Sequence, residues 1–233
     1  MPTLLLRLAG PMQSWGTQSR FSIRDTGLEP SKSGVLGLLC AALGKPRDEG
    51  PNDGFPTIEE LAALRMGVRV DLPGVRKRDF HTAGGTHRHD DTYGVIKADG
   101  KSRGTVTSHR WYLSDAFFLV GLSSDDKNLL GRLDSALAHP RWQLSLGRKA
   151  YVPGWPVRLP NALRESELVD CLKDHPLSTE VSSRSGDRLL IVVDATPESA
   201  TEVRQDVPVS FSLRKFTIRY VMTDYVARPE GGE

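Results

Sequence analysis

Two arms of extended character, Val75 to Thr82 and Thr105 to Leu113, flank a polar stretch broken by Gly84-Gly85, Gly94, Asp99-Gly100 and Gly104. Glycines and Asp-Gly pairs reverse a chain at little steric cost, so the arms are expected to pair as a long β-hairpin with an irregular tip. That expectation commits the chain to a sheet-containing fold.

The rest of the chain alternates strand-like and helix-like runs. Thr3 to Leu8 reads as a buried strand ending at Gly10-Pro11. Ser31 to Leu43 reads as a helix, capped by Ser31 or Ser33 and closed by Gly44 and Pro46. Leu36, Leu39, Cys40 and Leu43 share its apolar face, while Gly34 and Gly37 weaken it and imply a close approach by backbone or ligand. A short helix (Thr57 to Leu64) and a strand (Arg65 to Asp71) precede the hairpin. An apolar strand (Asp115 to Leu122), a helix to about His139, a Gly-containing loop (Leu144 to Pro156) and a strand near Val157 follow it. Leu189 to Asp194 and Ser210 to Met222 supply two further strands. Without the hairpin the order is βαββαβ, which predicts an α+β, ferredoxin-like (RRM-like) domain over residues 1–160. The hairpin insertion spans about 73–113, and residues 161–233 form a small β-containing C-terminal extension, joined near Pro156 to Pro176.

Charge is unevenly spread along the 233 residues although the net charge is only +2. Residues 73–113 hold eight basic side chains against four acids, and residues 141–164 hold five and no acid. Residues 165–206 reverse this, with ten acids against four bases. The acidic block is expected to face protein and the basic blocks a polyanion. Both basic blocks carry rings: Phe80, Tyr93, Trp111 and Tyr112, then Trp142, Tyr151 and Trp155. Phosphates need cations and unpaired bases need stacking surfaces, so the mixture suits single-stranded nucleic acid. The two cysteines, Cys40 and Cys171, are too few for a disulfide framework, and Arg7 interrupts the leading apolar run too early for a leader or a span. A reducing, cytoplasmic setting without membrane contact is expected.

Three loops offer candidate contacts. In Gln13-Ser14-Trp15-Gly16, Trp15 either stacks on a splayed base or plugs the sheet edge, and Gln13 can pair with a base edge. At Ser31-Lys32-Ser33-Gly34 a helix start presents unpaired N–H groups, suited to a phosphate or to ordinary capping. Gly147-Arg148-Lys149-Ala150-Tyr151 joins a permissive glycine to two cations and a ring. The RNA reading requires these loops to converge on one side of the sheet.

LRLAGPMQSWG followed by PSKSGVLGLLCAALG, then RKRDFHT, SHRWYLSDAFF and SLGRKAYVP, resembles the CasD subunits of the type I-E CRISPR surveillance complex, Cascade, over about residues 1–160. The resemblance implies a repeat-associated RNA-binding fold with a thumb-like hairpin, bound to the 5′ handle of CRISPR RNA. It also implies contact with the repeated backbone subunit, the large subunit and target DNA near the start of the guide. On this reading Arg24, Lys32 and Ser33, with Arg148 and Lys149, meet phosphates, and Gln13, Ser14, Trp15 and Tyr151 touch bases or sugars. Arg76, Arg78, His81 and Arg110 contact RNA along the hairpin, while Arg88 and Arg103 reach partners.

Two enzymatic readings compete. His81, His87, His89, Asp90 and Asp91 have metal-ligand chemistry, but a Gly-rich tip makes a poor rigid cage, so neither metal nor cofactor is expected. A metal-free endoribonuclease would use His81 or His109, Tyr112 and a hairpin cation. Processing enzymes of a sister subtype use a Tyr, a Lys and a His; here Tyr93 is the first tyrosine and no Lys-His pair occurs. The expectation is a non-catalytic subunit. A purely protein-binding module is the remaining class.

Overall fold

The leading apolar run becomes β1 (Thr3–Gln13), longer than expected because its ladder continues past Gly10-Pro11. Pro11 sits where the ladder skips, opposite Asp115 at φ 56°, so its missing N–H breaks no regular pairing. The computed structural model describes residues 1–17, 22–48, 53–85, 94–97, 100 and 102–230. After β1 come β2 (Ile23–Arg24), α1 (Lys32–Leu43), α2 (Ile58–Ala63), β3 (Arg65–Leu72) and β4 (Val75–Ala83). Then follow β5 (Val95–Ile96), β6 (Arg103–Gly104), β7 (Val106–Ser123), α3 (Lys127–Ala138) and β8 (Arg158–Arg164). The chain closes with α4 (Leu168–Asp174), α5 (Thr179–Ser182), β9 (Arg188–Asp194), β10 (Glu202–Ser210) and β11 (Lys215–Ala227).

The main sheet runs β10-β11-β9-β3-β7-β1-β8, antiparallel throughout, so the protein is α+β with a mostly antiparallel sheet. The expected hairpin forms: β4 pairs with β7 from Val75↔Ser114 to Ala83↔Val106. The second arm and the strand expected after it are one strand, β7, whose 18 residues pair with β3 at one end and β4 at the other. The kink at Asp115 bends that strand without ending it. The hairpin is therefore the outgrowth of β3 and β7 beyond the sheet.

Helices cover both faces. α1 and α3 pack together over one, burying Val35, Leu36, Leu39, Leu130 and Leu133 against Leu4, Leu6, Val68 and Val120. Ser31 caps α1 by accepting from the N–H of Gly34 at 3.3 Å. α4 takes the other face, where Gly67 and Gly121 stand opposite each other; a Cβ on Gly67 would lie 2.7 Å from Leu172 and one on Gly121 2.5 Å from Leu168. That close approach favours glycine, since a Cβ at either position would push the leucine side chains of α4 out of a packed core. Among the described residues no helix is long and apolar enough to cross a membrane.

Candidate nucleic-acid interface

Cross-strand partners share a face, so Arg78 and Trp111, and Phe80 and His109, line one side of the hairpin. Lys77, His81, Arg110 and Tyr112 line the other. On the first side the Arg76 guanidinium lies 4.5 Å and that of Arg78 5.8 Å from the Trp111 ring centroid. Phe80, tilted against His109 at 5.5 Å, is 61% exposed. A cation held over an indole is oriented by the ring and still has N–H groups to offer. Arg76 also pairs with Asp25 at 2.7 Å, whereas Arg78 has no carboxylate partner among the described residues.

The glycine loop docks beside this root. Gly147 has φ 91°, and a Cβ there would fall 1.8 Å from the Ser14 carbonyl oxygen, so no other residue fits. The Ser14 N–H donates to the Leu146 carbonyl at 3.0 Å, and the Leu146 N–H to that of Tyr151 at 2.7 Å. Arg148 donates to the Tyr151 hydroxyl at 2.9 Å and to the Arg24 carbonyl at 3.2 Å. Arg24 pairs in register with Arg110 of β7. Tyr151 meets Tyr112 with ring centroids 6.0 Å apart. Exposed Lys149 and Arg24 and half-exposed Arg148 thus gather beside β7 on its Tyr112 side, while Arg76 and Arg78 lie with Trp111 on the other.

The three loops converge, but several side chains within them serve the interior, which corrects their expected RNA contacts. Gln13 is fully buried: its Nε2 donates to the Leu8 and Ala116 carbonyls, at 3.1 and 2.7 Å, and its Oε1 accepts from Trp15 Nε1 at 3.2 Å. Trp15 is the plug, its ring 2.8 Å from where a Cβ on Gly34 would be, which explains that glycine. Ser14 is buried and donates to the Trp111 carbonyl, and the Tyr151 ring is buried beneath Arg148.

The phosphate seat at the start of α1 is likewise occupied from within. The Lys32 N–H donates to Asp206 at 2.7 Å, and its ammonium reaches Asp194 at 3.0 Å. Arg219 binds Asp206 through Nε and Nη2, at 2.6 and 2.9 Å, and Asp194 through Nη1 at 2.6 Å. Burial pushes the Asp194 carboxyl up, but Lys32 and Arg219 outweigh it and hold it below the ordinary carboxylate range. The helix end has its anion already, from β10. Ser33 stays half-exposed beside it. His81, half-exposed, lies 3.9 Å from Asp79, and Arg103 is exposed on β6. Arg88, His87, His89, Asp90 and Asp91 lie outside the described residues.

β10 itself was not expected, nor was the inward turn of Asp194 and Asp206, because the acidic block reads as surface. The signal available was Arg219, a cation between Ile218 and Tyr220 in the middle of an alternating strand, where a buried position needs a charged partner.

Residues 3–222 match the model of the family described as CRISPR-associated protein (Cas_Cas5). The CRISPR system Cascade subunit CasD of Escherichia coli (strain K12) is 36% identical over 155 residues, which is 63% of this chain and 65% of that protein's length. A solved structure described as a crystal structure of Cas protein superposes with a TM-score of 0.74 at 39% identity, covering 99% of this chain and 100% of the other. A chain of a CRISPR RNA-guided surveillance complex gives 0.74 at 34% identity, covering 98% and 91%. The chain belongs to the CRISPR-associated protein (Cas_Cas5) family.

Proposed function

We propose that this chain is a non-catalytic, RNA-binding subunit of a Cascade-type surveillance complex, seated on the 5′ handle of CRISPR RNA. The observation that carries the reading is that Lys149, Arg148 and Arg24 gather beside the hairpin root, whose other side carries Arg76, Arg78, Trp111 and Phe80. Cations interleaved with rings suit an unpaired RNA strand, whose phosphates need charge and whose bases need stacking surfaces. The Cascade subunit CasD and the surveillance-complex chain support the assembly. The central strands β8-β1-β7-β3, with α1 and α3 as crossovers, support a ferredoxin-like core. The nine-residue β4 arm reaches about 30 Å. That length lets the hairpin cross the guide toward the repeated backbone subunit, the large subunit and target DNA, with Arg103 among its partner contacts.

The endoribonuclease reading asks His81 and Tyr112 to serve one phosphate. His81 pairs with Ser108, four residues from Tyr112, a separation of about 13 Å along the strand. His109 turns to the opposite side, against Phe80. Incubating the pure chain with CRISPR repeat RNA, without metal, tests the proposal. Intact RNA retained with steep salt dependence is expected. Cleavage abolished by His81→Ala would replace the proposal with the enzyme.

A further inference from the structure

An open cleft of about 550 Å³ lies along α1, bounded by the loop after α3, the glycine loop and the β10–β11 turn. Its volume suits a small-molecule-sized group, within the roughly 300–1,000 Å³ of ordinary ligand sites. Gly37 forms part of its wall, with Trp142, Gln143 and Phe211 as neighbours and Arg47 and Lys149 as cations. No acid lines it among the described residues, and neither Arg47 nor Lys149 has an anionic partner there.

Gly37 is the informative position. Glycine weakens a helix interior. Packing does not require it here: the nearest atom to a Cβ at Gly37 would be Phe211 Cζ, at an ordinary 3.9 Å. What the missing side chain preserves is the open space. Trp142 is held beside that space because its N–H donates to the Ala41 carbonyl at 3.1 Å and that of Arg141 to Ala42 at 2.9 Å. These bonds fix the backbone to the end of α1 and leave the indole 48% exposed.

We propose that the cleft receives one unstacked nucleotide of the bound RNA. The base lies over Gly37 against Trp142, Gln143 meets its polar edge, and Arg47 and Lys149 meet the adjoining phosphates. The inference rests on the RNA-binding reading and adds a base pocket, between α1 and the glycine loop, that the hairpin does not supply. An apolar peptide side chain would use the rings but leave the two cations unanswered; a nucleotide uses both.

The test measures equilibrium binding of the full chain to CRISPR repeat RNA carrying single abasic positions. Trp142→Ala and Gly37→Leu are each expected to weaken binding about tenfold, without lowering the melting temperature in the glycine variant. One abasic position should cost the unchanged protein a similar factor and cost Trp142→Ala nothing further. If the unchanged chain retains RNA while both variants bind equally well, the cleft proposal falls and the RNA reading stands. Loss of a neighbouring subunit from the assembled complex, with RNA affinity intact, would likewise overturn it by giving the groove to protein. Failure of the unchanged chain to hold RNA would overturn both.

Discussion

The start of α1 and the root of the hairpin are both rich in cations, yet they put them to opposite uses. At α1, Lys32 is 4% exposed and Arg219 7% exposed, bound between Asp194 and Asp206. At the hairpin, Arg76 and Arg78 lie along Trp111 with their outer edges in water. Residue type does not separate the two regions. What separates them is a carboxylate delivered from more than 150 residues away in sequence, which turns a phosphate seat into a structural joint.

The most severe way to break the comparison is Asp206→Ala. It strips Arg219 of two hydrogen bonds and the first turn of α1 of its anion, in a site that is 2% exposed on the carboxylate side. Removing one member of a buried charge cluster costs about 3–5 kcal/mol. The urea midpoint should fall at constant slope, while the salt dependence of RNA binding stays as it was. A loss below about 1 kcal/mol would return this region to the surface class.

A smaller effect separates interior from exterior by pH. Burial, reinforced by Arg69, Arg164 and Arg7, lowers the His175 imidazole to about 4 from its ordinary 6.5. The neutral ring is the folded form, so between pH 6.5 and about 4 the unfolded chain binds a proton that the folded chain refuses. Stability should therefore fall as pH drops through that window and level off below it. Allowing for solvent screening of a partly buried ring, the change is about 1–2 kcal/mol. Asp71, ion-paired with Arg69 nearby, titrates in the same protein, so the signal is the difference between the unchanged chain and His175→Gln. Urea unfolding at pH 7.5 and 4.5 measures it, and identical pH dependences would remove His175 from the account.

The legibility of the sequence follows the same division. The hairpin arms and α1 are local patterns, set by turn residues, caps and periodicity within a few positions. β10 escaped because Glu202, Asp206 and Pro208 read as a solvated loop, and only pairing with β11 reveals Asp206 as an inward residue. The last strand begins at Lys215, later than expected, because Phe211 to Arg214 form the turn that this pairing requires. Gln13 and Trp15 were legible as a ring and an amide near a strand end. Their mutual hydrogen bond depends on the Ala116 carbonyl, 103 residues away, which no local pattern reports. The glycine loop and the hairpin are local patterns of turn glycines and basic residues, but the burial of Tyr151 under Arg148 depends on packing against Tyr112, which no local pattern reports.

The finest test of the comparison is Arg78→Gln. Its guanidinium lies over an indole at 5.8 Å from the centroid and pairs with no described carboxylate, so folding gains little from its charge. Stability should stay within about 0.5 kcal/mol of the unchanged protein, as for surface positions in general. RNA binding should respond where stability does not. If the side chain neutralises one phosphate of a single strand, log affinity against log salt should flatten by about 0.7. Lys32→Met, the matched change at α1, should do the reverse: lower stability by removing the Asp194 contact, with the salt slope unmoved. Equal slopes for Arg78→Gln and the unchanged chain would mean that an exposed cation on this hairpin is as silent toward RNA as a buried one, and the division between the two regions would lose its functional meaning.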